Sequence, residues 1–434
     1  MNDKHIKQSP MLTLPSLGGG SHSTLLRKPP ASAPPPSGTQ EEGTSEAFTT
    51  NQVGCMCIPV WYKVGSNDYG AFFFTNNNWS TYSTLWFGAT SGMGNGSPYW
   101  THDHVYWAAY FSPKVKINLS TGSGVSNATG ITNSNSRFGG MVKTGSNISL
   151  FGGAYGSTAQ YTNGVTDVTT TSQFNNSASF SGSASGANQG TSGVQYKDGM
   201  GNYDGNIYIC GSFGSNFDVC YRSTDGGQSY SEIYSFGSGS GNNMYGYFRT
   251  YPEASEPLIW IRKDKSSAGG TNQYRTFTSQ NGSSWTDRGN DSNQPNMGSS
   301  WYGGAYATMI HNRHTGKFYH TKGSQSQVWE STNGWSWSTF SSPVIGNIFN
   351  VALGSDGSLY GLVWEVPSGQ TYHRAKIYKW AASGTTPNKT LSSTPTLIKT
   401  INDLSNTPNG TNDGGVDHYG NMYPAHIYGP PFNW

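Results

Sequence analysis

Several features that would place this chain in a familiar class are missing from its 434 residues. No apolar run approaches the roughly 18 residues of a membrane span, so we expect no membrane segment. Charged residues make up only 11% of the chain, the formal net charge is +2, and no Lys/Arg run occurs, so we expect no nucleic-acid partner. The N-terminus lacks the apolar stretch of a secretory signal, so ordinary secretion is not expected.

Cysteine is also scarce. Four cysteines in a chain of this length do not make a disulfide framework, and their spacing does not fit a zinc site. Cys55 and Cys57 are too close in sequence for an easy bridge. Cys210 and Cys220 could face each other on neighbouring strands, and we favour a reduced buried pair over a bridge. We expect no metal and no cofactor.

The composition instead favours a large all-β domain. Glycine contributes 58 residues and aromatic residues make up 14% of the chain, whereas leucine is scarce. Because each Tyr, Trp and Phe buries a large area, these residues can fill a core that leucine does not. Gly, Asn and Ser supply the tight turns that join short antiparallel strands. The predicted fold class is therefore all-β.

Residues 1–50 differ from the rest of the chain. Proline is dense in KPPASAPPPS at 28–37, and the acidic residues Glu41, Glu42 and Glu46 follow. This composition favours extended, solvated chain. It fits a disordered tail or linker, and equally an arm that becomes ordered on a partner through apolar anchors at 11–15 and 25–26. We expect an extended arm over 1–50 and one β domain over 51–434.

Three short segments repeat at near-constant spacing. They begin at residues 223, 279 and 331, at intervals of 56 and 52 residues, and read STDGGQSY, SQNGSSW and STNGWSW. Each follows a strand-like run, at 218–222, 274–278 and 327–330. The segments resemble the Asp box, Ser-x-Asp-x-Gly-x-x-Trp, of sialidase-like β-propellers. Asn replaces Asp in the second and third segments, and Asn can accept the same local turn hydrogen bond. We expect a structural role for the box residues Ser223, Asp225, Gly227, Tyr230, Ser279, Asn281, Trp285, Ser331, Asn333 and Trp337.

The resemblance implies a β-propeller of four-stranded blades. Strand-like runs after turn signals precede the boxes, and a further blade is expected at 137–164. Innermost strands are expected near residues 84, 137, 193, 244, 304, 347 and 413, which makes seven blades, with six or eight as alternatives. The last blade has only residues 413–434. We therefore expect a hairpin with its own box-like turn, at 71–82, to complete that blade and close the ring.

The catalytic pattern of the sialidase family is not found. That family holds a sugar carboxylate with three arginines, the first in a Tyr/Phe-Arg-x-Pro context early in the propeller. Here the early arginine is Arg137, which Phe-Gly-Gly follows, while Arg249 lies mid-ring with one residue too many before Pro252. Arg137 and Arg249 stay candidate ligand-binding residues, and we expect no catalytic residue.

Two polar clusters admit a functional and a structural interpretation. Glu253 and Glu256 could serve acid/base chemistry, but an exposed connecting loop explains them more simply. His104 and His418 would become neighbours if the ring closes, together with nearby Asp and His residues. They are candidate ligand-binding residues, although ordinary hydrogen-bonded or exposed histidines account for them better than a metal site.

Three functions fit these observations. The first is a non-enzymatic virion structural protein, because the chain resembles tailed-bacteriophage virion proteins in its Gly/Ser/Asn/Thr-rich composition and its arm. That resemblance implies a tail fibre, appendage or capsid decoration on the virion surface, present in several symmetric copies. Residues 1–50 would dock on another virion protein and the propeller would bind host glycans. The alternatives are a glycan-hydrolysing sialidase-like enzyme and a cellular protein-binding scaffold.

Overall fold

The fold is all-β in every part of the chain that the structure describes. The computed structural model describes residues 54–64, 67–87, 99–100, 104–108, 114–119, 124–125, 136–144, 147–154, 159–165, 179–181, 199–203, 206–213, 217–225, 229–238, 245–251, 254–265, 272–295, 309–321, 326–344, 346–365, 374–401 and 427. These residues form strands and turns without a helix. A membrane-spanning helix is accordingly not found among them. The predicted arm at 1–50 lies outside these ranges.

The first three sheets are antiparallel and follow chain order. Sheet 1 has three strands, β1 (Met56–Val64), β2 (Asn67–Thr75) and β3 (Ser83–Phe87). Sheet 2 has four, β4 (Tyr99–Trp100), β5 (His104–Ala108), β6 (Lys114–Asn118) and β7 (Gly124–Val125). Sheet 3 has three, β8 (Ser136–Thr144), β9 (Asn147–Ala154) and β10 (Ala159–Val165).

The next four sheets contain four antiparallel strands each, with one parallel addition. Sheet 4 comprises β12 (Gly199–Tyr203), β13 (Asn206–Phe213), β14 (Phe217–Ser223) and β15 (Ser229–Ser238), and β11 (Ser179–Ser181) pairs in parallel with β15. Sheet 5 comprises β16 (Tyr245–Thr250), β17 (Leu258–Lys265), β18 (Asn272–Ser279) and β19 (Thr286–Asn290). Sheet 6 comprises β20 (Ile310–Asn312), β21 (Lys317–Thr321), β22 (Val328–Ser331) and β23 (Ser338–Thr339).

Sheet 7 carries an insertion before its last strand. It comprises β24 (Ile348–Leu353), β25 (Leu359–Glu365), β26 (Arg374–Trp380) and β29 (Thr396–Ile401). Between β26 and β29 a small separate hairpin forms from β27 (Ala382–Ser383) and β28 (Thr390–Leu391).

The core lies between neighbouring sheets. Continuous apolar runs such as FFF at 72–74 and LIWI at 258–261 are buried, so both faces of these strands are covered. One buried cluster joins sheets 4 and 5, a second joins sheets 5 and 6, and a third joins sheets 6 and 7. First strands also contact each other from sheet to sheet, β4 with β8, β8 with β12 and β20 with β24.

Sheet 7 packs against sheet 1. Their shared cluster contains Ile58, Phe73 and Trp79 from sheet 1 and Leu362 and Ile377 from sheet 7, all buried. In the other direction, the side-chain amide of Asn76 after β2 donates to the Leu119 carbonyl after β6 at 3.3 Å, which joins sheet 1 to sheet 2. The first described sheet therefore contacts both the second sheet and the last.

The expected strands are confirmed in most sheets, and one assignment is wrong. The runs leading into the three boxes lie in β14, β18 and β22, and the strands predicted within 137–164 form the three-stranded sheet 3. The run at 84–87, expected to begin a blade, instead lies in β3, which ends sheet 1. It pairs with β2 from Phe74↔Ser83 to Gly70↔Phe87, because the turn at 75–82 folds it straight back on its neighbour.

Sheet 1, like sheet 3, has three strands among the described residues, but its turn is placed differently from those of sheets 4 to 6. In sheets 4, 5 and 6 the box follows the third strand, whereas in sheet 1 the box-like turn follows the second strand, β2. Relative to sheets 4 to 6, the described part of sheet 1 therefore has no counterpart of the first strand, which would lie beside β1. Residues 413–426 and 428–434, the C-terminal segment expected there, lie outside the described residues. Ile427 is described, and its carbonyl accepts a 2.8 Å hydrogen bond from the Asn350 side chain of β24.

Candidate functional site

The three turns that resemble Asp boxes are held by local side-chain hydrogen bonds. In the first box, Ser223 Oγ lies 2.7 Å from Asp225 Oδ1. The Asp225 carboxylate also accepts hydrogen bonds from the backbone N–H and the hydroxyl of Ser229, at 3.0 and 2.6 Å. Tyr230 is buried, and Gly227 lies outside the described residues. The carboxylate is thus fully engaged in holding its own turn.

The second and third boxes are a shorter turn. Ser279 Oγ accepts the N–H groups of Asn281 and Gly282, and Asn281 Oδ1 accepts those of the next two residues at 2.9 Å each. The box at 331–337 repeats these bonds through Ser331 and Asn333. In both boxes the residue directly after Asn is a glycine with positive φ. In the first box that glycine position is two residues after Asp, so the aromatic residue of the second and third boxes comes one position earlier in the sequence. The second and third boxes therefore differ from the Asp-box pattern in two ways: Asn replaces Asp, and the turn is one residue shorter.

The predicted box-like turn at 75–82 has the geometry of the first box. Thr75 Oγ1 accepts the N–H groups of Asn77 and Trp79, and Asn77 Oδ1 accepts that of Thr81 at 2.9 Å. Trp79 occupies the position of this turn that corresponds to Gly227 of the first box, and its backbone has a positive φ. The Trp79 side chain is buried between sheets 1 and 7. Here one aromatic residue both makes the turn and fills the sheet interface.

The tryptophans of the second and third boxes pack between sheets. Trp285 lies in the cluster between sheets 4 and 5, with its ring 5.0 Å from that of Phe236. Trp337 lies in the cluster between sheets 5 and 6 and donates from Nε1 to Gln294 Oε1 at 2.9 Å. Asp291 Oδ2, just after β19, accepts the Trp337 backbone N–H at 3.1 Å. These contacts give the boxes an architectural role in the described chain.

Sheet 7 replaces the box with a hairpin that reaches back to sheet 6. The turn of this hairpin contacts His314, whose Nδ1 lies 2.7 Å from Thr386 Oγ1 and whose carbonyl accepts the Lys389 N–H at 2.8 Å. Lys389 Nζ also donates to the Asp356 carbonyl at 2.6 Å. This contact could not be predicted from the sequence, because the insertion carries no recurrent pattern.

Asp356 stands at the centre of this contact region. Its carboxylate accepts hydrogen bonds from the Ser358 N–H, the Ser358 hydroxyl and Lys379 Nζ, each at 2.9 Å. Burial opposes ionisation, but these donors outweigh it and hold the pKa of Asp356 below its ordinary value. Burial likewise opposes the charge of Lys379, yet Asp356 and Tyr360 raise the Lys379 pKa. The pair is ionised at neutral pH and ties β26 to the turn before β25.

The other carboxylates with described contacts are engaged in ion pairs. Glu256 Oε1 accepts from Arg288 Nη2 at 2.6 Å, so one member of the expected Glu253–Glu256 pair serves a structural contact. Glu253 lies outside the described residues. Further pairs join Arg275 to Asp287, Lys317 to Glu330 and Lys376 to Glu365.

Three of the candidate ligand-binding residues lie on three different sheets. His104 lies in β5 opposite Asn118, Arg137 in β8 opposite Gly153, and Arg249 in β16 opposite Ile259. For these three residues the structure describes the strand position alone, and His418 lies outside the described residues. Among the described residues, no group of three His, Cys, Asp or Glu side chains is placed to hold a metal.

Sequence analysis missed three buried histidines of sheet 6. His320 packs edge-on against Trp337 with ring centroids 4.1 Å apart, and its Nε2 lies 3.0 Å from the Asn293 carbonyl. His311 packs against Phe318, and His314 holds the hairpin of sheet 7. Their described contacts are with aromatic rings, backbone carbonyls and the Thr386 hydroxyl, so the described contacts place them in the packing of sheets 5, 6 and 7.

Comparisons with known proteins identify no family. No family model matches the chain, and no curated protein matches it. Among solved structures it is similar to prolyl endopeptidases at 9% identity and a TM-score of 0.41, covering 81% of this chain and 51% of theirs. It thus spans about half of their length. TolB from Acinetobacter baumannii follows at 12% identity and a TM-score of 0.35, covering 80% and 65% of the two chains. A mutant of AofleA from Arthrobotrys oligospora is similar at 10% identity and a TM-score of 0.37, and the match covers 85% of this chain and 95% of the AofleA chain. These neighbours are β-propeller-like proteins.

Proposed function

We propose that the seven sheets are the blades of a closed, Asp-box β-propeller. Contacts between sheet 1 and sheet 7 support closure, as do the buried clusters between sheets 4, 5, 6 and 7. The position of the box-like turn in sheet 1 supports a missing first strand, which the C-terminal segment after residue 413 would supply. A ring of this kind leaves no sheet edge open at the join between the chain ends.

The proposed function is that of a non-enzymatic virion structural protein on the virion surface. The observation that carries the non-enzymatic part is the use of the described acidic side chains. Asp225, Asp291 and Asp356 hold turns, and Glu256 is paired with Arg288. A glycosidase of the paired-carboxylate type instead needs two carboxyl groups facing a substrate. The structural contacts of these four carboxylates support the non-enzymatic part of the proposal.

The proposed setting is a phage tail fibre, appendage or capsid decoration. Residues 1–50 would anchor the chain to another virion protein, and the propeller would be displayed in several symmetric copies. Among the described aromatic side chains, Tyr82 is exposed, at 36%, and the others are buried or half-buried. A glycan contact would therefore use groups such as Arg137, Arg249, His104 and His418, beyond the described side chains.

The test is a pull-down from a lysate of the source system, comparing the full chain with a chain that begins at Asn51. We expect the full chain alone to capture a capsid or tail protein. Equal capture by both chains, or capture by neither, would contradict the anchor. Release of reducing sugar from a host polysaccharide by the full chain would contradict the non-enzymatic assignment and favour the glycan-hydrolysing alternative.

A further inference from the structure

The two central strands of sheet 4 carry a pair of cysteines in direct register. Cys210 in β13 lies opposite Cys220 in β14, so both side chains project from the same face. Their Sγ atoms are 2.8 Å apart, and the two residues are not bridged in this structure. Directly opposed residues of antiparallel strands have Cα atoms about 4.5–5.5 Å apart. This lies inside the range of about 4.4–6.8 Å that a disulfide requires.

The surroundings of the pair are fixed and apolar. Both cysteines are fully buried in the cluster between sheets 4 and 5, beside Phe236, Trp260 and Trp285. Packing of this density holds the two sulfurs together, so the second step of bridge formation is intramolecular and meets a high effective concentration. The same burial makes the pair slow to react until the sheets open locally.

We propose that Cys210 and Cys220 form a redox-convertible cross-strand disulfide that staples β13 to β14. A low-molecular-weight disulfide such as oxidised glutathione is the oxidant. One cysteine thiolate attacks it and releases one glutathione thiolate, and the second cysteine thiolate attacks the resulting mixed disulfide and releases the other. The two electrons pass to glutathione, and the two thiol protons end on the released glutathione sulfurs.

Cys55 and Cys57 provide an internal control. They are also buried, and burial raises the pKa of both thiols. They sit two residues apart, with Cys57 in β1 opposite Phe74, so a bridge between them would require the strand to distort. The same chain thus offers one buried pair placed to bridge and one that is not.

The experiment equilibrates the full-length protein in glutathione buffers of stepped oxidised-to-reduced ratio. Enough urea is added to open the sheets transiently, and equilibrium is approached from both the reduced and the oxidised protein. After alkylation of thiols, peptide mapping should find a Cys210–Cys220 bridge in most molecules at oxidising ratios, with Cys55 and Cys57 alkylated. The bridged form should have the higher Tm, a shift that Cys210→Ser abolishes and Cys55→Ser retains. The proposal would be overturned if Cys210 and Cys220 stayed reduced at every glutathione ratio, or if bridges were scattered over all cysteine pairs. The peptide map is made on the unmodified sequence, so this test does not depend on any variant folding.

Discussion

The third box makes the sharpest prediction, because it holds two tryptophans in different surroundings. Trp337 is 7% exposed, packs between sheets 5 and 6, and donates to Gln294. Trp335 is half-buried, and the Arg288 guanidinium lies 4.3 Å from its ring centroid. The two positions share a turn and a residue type, so replacing each with alanine isolates the effect of burial between sheets.

Trp337→Ala should cost the larger share of stability. Removing a buried Trp costs about 3–5 kcal/mol. The Gln294 carbonyl left without its donor adds about 1–3 kcal/mol. We therefore expect a loss of at least about 4 kcal/mol, against a total of about 5–15 kcal/mol for a typical domain. Trp335→Ala removes a cation–π contact worth about 0.5–1 kcal/mol and partial burial, so we expect a loss of about 1 kcal/mol.

The assay is urea unfolding followed by circular dichroism, with the midpoint and slope compared for the two variants. Trp337→Phe separates the packing contribution from that of the hydrogen bond, because phenylalanine keeps most of the packing but cannot donate to Gln294. The stability loss of Trp337→Phe should therefore fall between the losses of the two alanine variants. Equal midpoints for Trp337→Ala and Trp335→Ala would refute the claim that the box aromatic joins the sheets.

Two further predictions concern turns. Gly282 and Gly289 both have positive φ, but a Cβ at Gly282 would clash with Tyr208 Cε1, whereas one at Gly289 meets nothing within 4 Å. Gly289→Ala should therefore cost about 1–2 kcal/mol from the backbone alone, and Gly282→Ala clearly more; equal urea midpoints would contradict this. The folded-state pKa of Asp356 is lowered, so its contribution to stability is present above its unfolded pKa of about 3.9 and is lost as pH falls through the folded value. Asp356→Asn, which leaves Lys379 without its ion partner, should flatten this acid limb of a Tm-against-pH curve, and an unchanged limb would refute the assignment.

The recurrent turns made much of the fold predictable from the sequence. Their hydrogen bonds are local, so the Ser and Asp or Asn residues at 223–225, 279–281 and 331–333 identify a turn whatever surrounds it. The strands before each turn followed from it and are confirmed as β14, β18 and β22. The run at 84–87 was assigned to the wrong sheet, because its apolar pattern is that of any buried strand and its register depends on the turn at 75–82.

The sheet contacts and the site were less predictable. The hairpin of sheet 7 has no periodic pattern, and its contact with His314 joins residues 72 positions apart. Pairing of Glu256 with Arg288 likewise depends on two loops meeting in space. Arg137, Arg249, His104 and His418 stay predictions, since a ligand-binding role depends on side-chain directions that composition and spacing do not determine.

The central claim of this account is that the sheets form a ring in which the last packs on the first. Asn78, after β2, donates to Ser355 Oγ, after β24, at 3.0 Å across a sequence separation of 277 residues. A double variant, Asn78→Cys with Ser355→Cys, should therefore be joined in high yield by a short bis-maleimide, since the four native cysteines are buried. Asn78→Cys with Ser283→Cys, on the box of sheet 5, should not be joined. A cross-linked 78–355 peptide would support the ring, and its absence alongside full labelling of both thiols would contradict it.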